Sequence, residues 1–497
     1  MSGLRGALMV CGTSSGAGKS TLVTGLCRLL ARRGVRVAPF KAQNMSNNAA
    51  VCADGAEIGR AQYAQALAAG IEPTADLNPI LLKPIDDRRS QVIVHGAPVT
   101  EVGATDYGAQ SGALLDLAVD ALDRLRERYE VVVVEGAGSP SELNLLERDV
   151  ANLPLAARAG IDAVLVADID RGGMLAAAYG TIALLPADLR DRIRGIVVNR
   201  FRGELSLLQP GLDLLEERTG VPVLGVVPFL PGAVDTEDSL DVPVPGASRP
   251  DALVVAVLRT PRISNFTDLE PLAAEPGVAV RFVSRPVELA GVDMIVVPGS
   301  RAVAADLAWL RETGLAEAVM RSDALVLGIC GGYQMLGDAV VDEGGVEGEP
   351  GAVEGLGLLP VTTRLAPDKI TRVRHGRALG CDVRGYEIRH GRPVRATGAG
   401  WIELDDELRL EDEGAVSGGR VFGTSLHGLF ENDDFRGAFL TNAAARTGRA
   451  FSPAAESFAA VRARFHDAVA DAIEAALDLD RIAAFTGAAV PAPVASR

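Results

Sequence analysis

The segment Gly12-Thr-Ser-Ser-Gly-Ala-Gly18-Lys19-Ser20-Thr21 sets small residues, one lysine and several hydroxyls directly after an apolar run and before a helical one. Such a loop lets successive backbone N–H groups converge on phosphate oxygens, with the N-terminus of a helix behind them. Lys19 then reaches the outer phosphates and Ser20 can ligate Mg2+. Gly12, Thr13, Ser14, Gly16, Ala17, Gly18, Lys19, Ser20 and Thr21 therefore read as an ATP site. The spacing from Gly12 to Gly18 is one residue longer than the usual phosphate-loop pattern, which points to a variant subclass.

A second reactive centre lies far along the chain. Gly328-Ile-Cys330-Gly331-Gly332 puts a thiol where an apolar strand stops and a helix begins. An elbow of that kind exposes the sulfur, and the helix N-terminus favours the thiolate. A thiolate in acyl transfer needs a base. Of five histidines, His427 has the most fitting context, because it follows the strand-like Gly419-Arg-Val-Phe-Gly-Thr-Ser-Leu and heads Gly428-Leu-Phe. The tetrahedral intermediate also needs donors, and Val296-Val-Pro-Gly299-Ser300-Arg301 ends another strand with small residues. Gly299, Ser300 and Gly331 are thus the candidate oxyanion hole. The set describes amide hydrolysis by Cys330 and His427.

These groups must be held by strands. Short apolar runs at 7–11, 35–40, 131–134, 163–167, 195–198 and 223–227 alternate with helical lengths, and similar runs follow at 253–258, 279–283, 293–297, 325–329 and 421–425. The expected fold is α/β, with two mostly parallel, helix-covered sheets. The Pro-, Gly- and acid-rich stretch between the two series divides the chain into 1–232, a linker 233–251, 252–485 and a flexible tail 486–497. In an open parallel sheet, ligands gather beyond the carboxyl ends of the strands. Lys41, Gln43, Asn44 and Asn47 follow one strand. Glu135 follows four valines and suits Mg2+. Asp168, Asp170 and Arg171 follow a third strand, with Asp168 or Asp170 as helix cap or metal ligand. Asn199 follows a fourth and suits an adenine edge.

At 497 residues, with 48% apolar and 23% charged residues, the chain is long enough for two substantial cores and is not of disordered composition. Its net charge of −16 argues against a general nucleic-acid surface. Only four lysines, Lys19, Lys41, Lys83 and Lys369, occur among 49 basic residues. A retained ammonium in an arginine background suggests a place where a guanidinium would not fit. Five cysteines without a C-x-x-C pair fit a reducing cytoplasm rather than a zinc or disulfide framework. No signal peptide and no long apolar run is visible, so neither export nor a membrane is expected.

The Cys330 elbow and distant His427 resemble the class I glutamine amidotransferase domain, and the first half resembles the dethiobiotin-synthetase-like, P-loop ATP-binding domain. Together, in this order, they resemble the cobyric acid synthase family over nearly the whole chain. The marks are the phosphate loop, Lys41-Ala-Gln-Asn-Met-Ser-Asn-Asn48, Glu57-Ile-Gly-Arg-Ala-Gln62, Asn78-Pro-Ile-Leu-Leu-Lys-Pro84, Ser90-Gln-Val-Ile-Val94, Asp168-Ile-Asp-Arg-Gly-Gly173, Asn199-Arg-Phe-Arg-Gly203 and Gly328 to Gly337. The resemblance implies ATP- and glutamine-dependent amidation of the b, d, e and g carboxylates of adenosylcobyrinic acid a,c-diamide, with ATP and Mg2+ as cofactors and a corrinoid and L-glutamine as substrates. It implies an acyl phosphate near Lys41, Gln43, Asn44, Asn47, Lys83, Asp170 and Arg171, fed by ammonia from Cys330. Two positions depart from pattern. Leu429 stands where such domains carry a Glu, leaving open whether Glu431 or another group orients His427, and Arg389 replaces a His, so His390 is given no role. The alternatives are the sister family that amidates the a and c carboxylates, disfavoured by Lys41–Asn48, and a P-loop ATPase switch, which leaves Cys330 and His427 unexplained.

Overall fold

The computed structural model describes residues 6–85, 89–103, 108, 110–230, 251–405 and 410–487. A first six-stranded sheet runs in the order Val223–Pro228, Ile193–Phe201, Asp162–Asp168, Gly6–Gly12, Val131–Glu135, Val37–Phe40. Every neighbouring pair is parallel. A parallel sheet is covered on both faces, which is why strands such as Val131-Val-Val-Val are apolar at every position and buried throughout. Side chains still alternate. Ala7, Met9 and Cys11 enter one core with Leu122, Leu153 and Ile182, whereas Leu8 and Val10 enter another with Leu26 and Leu30.

That second core is completed from the far end of the chain. Helix Phe458–Ala476 brings Val469, Ala470 and Ile473 into it, and Leu477 and Ile482 follow from the next turn and helix Leu479–Thr486. Gly25 makes the close approach possible, since a Cβ built on it would stand 2.2 Å from Ile473 Cδ1. Arg28, Arg32 and Arg33 line the edge of this contact against Asp467, Asp471 and Glu474, at 2.8, 2.6 and 2.7 Å. The packing thus differs from the division expected at 252–485. The chain crosses to the second sheet and returns, to pack beside helix Lys19–Arg32 on that face of the first sheet. Thr486, where a loose tail was expected to begin, instead ends a helix, and 488–497 lie outside the described residues, as does the expected linker apart from Asp251.

The second sheet runs Val278–Val283, Leu253–Leu258, Met294–Val297, Leu325–Ile329, Val421–Thr424, Ala415–Ser417, with only the last strand antiparallel. A long antiparallel hairpin, Val361–Ala378 with Cys381–Arg395, was not among the expected strands. Its turn is made at Leu379 and Gly380, both at positive φ (52° and 79°), as a tight two-residue hairpin connection requires.

Candidate active site

Gly12 closes its strand, Ser15–Ala17 make a single turn, and helix Lys19–Arg32 starts with no side chain capping it. A helix N-terminus of this kind turns the positive end of its dipole toward an anion. Gly18 sits at φ 93°, and any Cβ there would strike Asn199 Nδ2 at 2.0 Å. Asn199, expected at an adenine edge, packs under the loop and donates to the Ala17 carbonyl at 3.0 Å. Lys19 curls back to the carbonyls of Ser14, Ser15 and Gly138, at 2.9, 3.3 and 3.0 Å. Thr13 donates its backbone N–H to Val166, and Thr21 lies in the first turn of the helix.

Glu135, fully buried at the end of its strand, ties this loop to the next strand end. Its Oε1 accepts from the Ser20 hydroxyl at 3.0 Å and from Lys41 at 2.8 Å, and its Oε2 accepts from Gln65 at 2.5 Å. Asp168 is committed to Arg200 and to the Asp170 N–H, at 2.9 and 2.8 Å. Asp170 is paired with Arg202 at 3.5 Å, while the Arg171 guanidinium hangs over Gly16. Asn44 is buried against Gln62 at 3.0 Å; Gln43 shares its strand, and Asn47 follows half-buried. Lys83 is placed elsewhere than expected for a group at the acyl phosphate. It pairs at 2.7 Å with the fully buried Glu57, whose other oxygen meets Lys369, from the second half of the chain, at 2.5 Å. Burial would raise the Glu57 pKa, but the two ammonium groups hold it down at about 2. All four lysines are thus buried or nearly so, two around the phosphate loop and two on Glu57.

Cys330 occupies the N-cap of helix Gly331–Leu336 at φ 50°, ψ −105°, a conformation that persists only where the surroundings enforce it. They do so through glycines. A Cβ on Gly332 would stand 1.8 Å from the Val297 carbonyl, and one on Gly331 would stand 2.6 Å from the Ser300 nitrogen. The Gly331 and Ser300 backbones are therefore side by side, as two donors to one oxyanion must be. Gly299 lies against the His427 ring, with Cε1 3.1 Å from its built Cβ. On one side His427 lies beside Cys330, whose Sγ donates to the Ile388 carbonyl at 3.6 Å. On the other, its Nδ1 lies 2.7 Å from Asp268 Oδ2, and Asp268 Oδ1 accepts the Gly428 N–H at 2.8 Å. Burial opposes charge on the imidazole, yet Asp268 and the Cys330 sulfur together raise its pKa to about 10.

Asp268 was not singled out in the sequence. It sits 159 residues before His427, with no motif around it. Glu431, left open for the task, is taken by Arg60 and Arg462 at 2.8 and 3.0 Å. The two halves meet at the histidine. The Ala49 N–H of the first half donates to Asn265, three residues before Asp268, at 2.9 Å, and the Ala49 carbonyl accepts the hydroxyl of Tyr386, whose ring stacks on His427 at 5.4 Å. His390, given no role, lines the cavity beside Cys330.

Residues 8–243 match the CobQ/CobB/MinD/ParA nucleotide binding domain, and residues 254–435 match the CobB/CobQ-like glutamine amidotransferase domain. A cobyric acid synthase of Nocardia farcinica is 52% identical, covering 96% of this chain and 96% of its own. The chain belongs to the cobyric acid synthase family. Further members, from Rhodococcus jostii and Streptomyces avermitilis, are 50% and 49% identical over 98% and 96% of this chain and 96% of their own. As a member of the cobyric acid synthase family, it is a ligase of cobalamin biosynthesis that amidates with ATP and glutamine. Among the described residues, no helix is long and apolar enough to cross a membrane.

Proposed function

We propose that the chain converts adenosylcobyrinic acid a,c-diamide to adenosylcobyric acid by amidating the b, d, e and g carboxylates in turn. The observation that carries this is the cavity beside Cys330, which is walled by Lys83 of the nucleotide-binding half as well as by residues of the amidotransferase half. Ammonia released there is already at the seam between the two sites.

In the second half, His427, held in one tautomer by Asp268, leaves Cys330 as the thiolate that attacks the δ-carbonyl of glutamine. The Gly331 and Ser300 N–H groups, next to Gly299, receive the oxyanion. The His427 imidazolium gives its proton to the departing ammonia, and water then hydrolyses the thioester to glutamate. In the first half, the 12–21 loop cradles ATP, Asn199 lies beside the loop to meet the base, and a substrate carboxylate takes the γ-phosphoryl group as an acyl phosphate. Lys19 meets the charge on that group, while Lys41, Gln43, Asn44, Asn47, Asp170 and Arg171 face the corrinoid side. Ser20 and Glu135, whose oxygens stand 3.0 Å apart, would hold Mg2+, which supplies charge neutralisation on the phosphates. The acyl phosphate hydrolyses readily, so burial of the site that forms it is part of the chemistry. Mass spectrometry of the product made from the a,c-diamide, ATP and glutamine labelled with 15N in its amide tests this. Four labelled amides are expected; no labelled amide on the a,c-diamide, with label entering at a and c when cobyrinic acid is supplied instead, would refute it.

A further inference from the structure

His427 and Asp268 are both held from outside their own half of the chain. Tyr386 and His427 pair through the main chain in both directions: the Tyr386 N–H donates to the His427 carbonyl at 3.0 Å, and the His427 N–H donates to the Tyr386 carbonyl at 2.8 Å. The Tyr386 ring also stacks on the imidazole, with 28° between the planes. A buried phenol needs an acceptor, and this hydroxyl donates to the Ala49 carbonyl of the nucleotide-binding half at 3.2 Å. The same alanine reaches the other member of the pair. Its N–H donates to Asn265 Oδ1 at 2.9 Å, and Asn265, at φ 50°, begins the turn Phe266–Leu269 that carries Asp268. On its other flank Asn265 continues strand Ile263–Ser264, which pairs with Gly299–Ser300 of the oxyanion hole. Ala49 is itself fixed, buried at the start of strand Ala49–Val51 and paired with Gly59.

We infer that Tyr386 and Asn265 are positioning residues of the glutaminase and that Ala49 is the post to which both are tied, so that the geometry of His427 and Asp268 is complete only while the two halves are docked. This rests on the reading of Cys330 and His427 as the glutaminase pair. Asp268 holds the imidazole through one bond at Nδ1, about which the ring is free to tilt, whereas proton transfer to departing ammonia needs placement to within about 0.5 Å. Tyr386 against the ring face removes the tilt, and its tie to Ala49 keeps the tyrosine from sliding. Asn265 serves the carboxylate in the same way. Its left-handed backbone aims the turn, and its bond to Ala49 holds the turn in place. The main chain of one residue thus reaches, through these two side chains, the base, its carboxylate and the strand beside the oxyanion hole.

The experiment compares the native full chain with Tyr386→Phe, which keeps the ring and removes only the tie, and with Asn265→Gly, which keeps the positive φ and removes the other tie. Glutaminase kcat and KM are measured on each, together with amidation of the a,c-diamide from ATP and ammonium salts. Each variant is expected to lower glutaminase kcat by about 10-fold, with KM for glutamine and the ammonium-driven rate within about two-fold of native, because the ties act on proton transfer and not on glutamine binding or the acyl phosphate. The double variant should lose less than the product of the two separate factors, since both act through one residue. The two variants lie on opposite sides of Ala49, so each stands alone if the other does not fold. A folded variant with native kcat overturns the inference, as does a raised KM at native kcat, an equal loss of ammonium-driven amidation, or a double variant whose loss is the full product. A native chain that releases no ammonia from glutamine overturns the glutaminase reading instead.

Discussion

Separating the first 232 residues from the rest should leave a fragment that cannot hold its fold. The cut removes helices Phe458–Ala476 and Leu479–Thr486, and with them Val469, Ile473, Leu477 and Ile482, all buried against Leu8, Val10, Leu22 and Leu26. At about 1.5–3 kcal/mol per fully buried aliphatic side chain, those four contribute about 6–12 kcal/mol of gross burial, an upper figure because unfolded chains already bury some surface. Whole domains are stable by only about 5–15 kcal/mol, so the loss is comparable to the total. The three arginine–carboxylate pairs at the edge are partly exposed and add little. Size-exclusion chromatography, urea unfolding and ATP binding on the 1–232 fragment, with and without a 452–497 segment supplied in trans, measure this. Aggregation of the fragment alone and recovery of ATP binding with the segment are expected. A monomeric fragment with a cooperative urea transition and the ATP affinity of the full chain would refute the reasoning.

Cys330→Ser should abolish amidation from glutamine while ammonium salts still support it, because only ammonia generation uses the thiolate; loss of both in a folded protein would contradict the division of labour. Glu135→Gln keeps the shape but removes the charge a hard cation prefers, so it should raise the Mg2+ concentration needed for half-maximal synthesis without changing glutamine hydrolysis, and an unchanged titration would move the metal elsewhere. Asp268→Asn should lower glutaminase kcat on the order of 10² to 10⁴-fold. It should also shift the alkaline limb of the pH profile: catalysis needs His427 protonated, Asp268 helps raise its pKa to about 10, and without that charge the imidazolium is lost at lower pH. An alkaline limb that stays in place would assign Asp268 a merely structural part.

What the sequence determined was whatever depends on neighbours along the chain. The phosphate loop, the Cys330 elbow and all eleven expected parallel runs were legible because a strand buried on both faces is apolar at every residue and its functional groups follow at its carboxyl end; 35–40 begins two residues later than expected, 293–297 begins one later and 421–425 ends one earlier. The hairpin 361–395 was missed because its alternating arginines and apolar residues belong to an antiparallel ladder with one exposed side, a weaker pattern than an apolar run. The scarcity of lysine marked four residues without saying that two of them would share Glu57 across the halves. Only the tertiary structure decided which carboxylate serves His427, since Asp268 and Leu429 differ by 161 positions in the chain and only folding brings the former to Nδ1. The same holds for the return of the last helices to the first sheet. Their apolar stripe is as plain in the sequence as any other, but a stripe says that a helix must be covered and not by which sheet, and only folding placed it beside helix Lys19–Arg32 on the face of the first sheet that carries Leu8 and Val10.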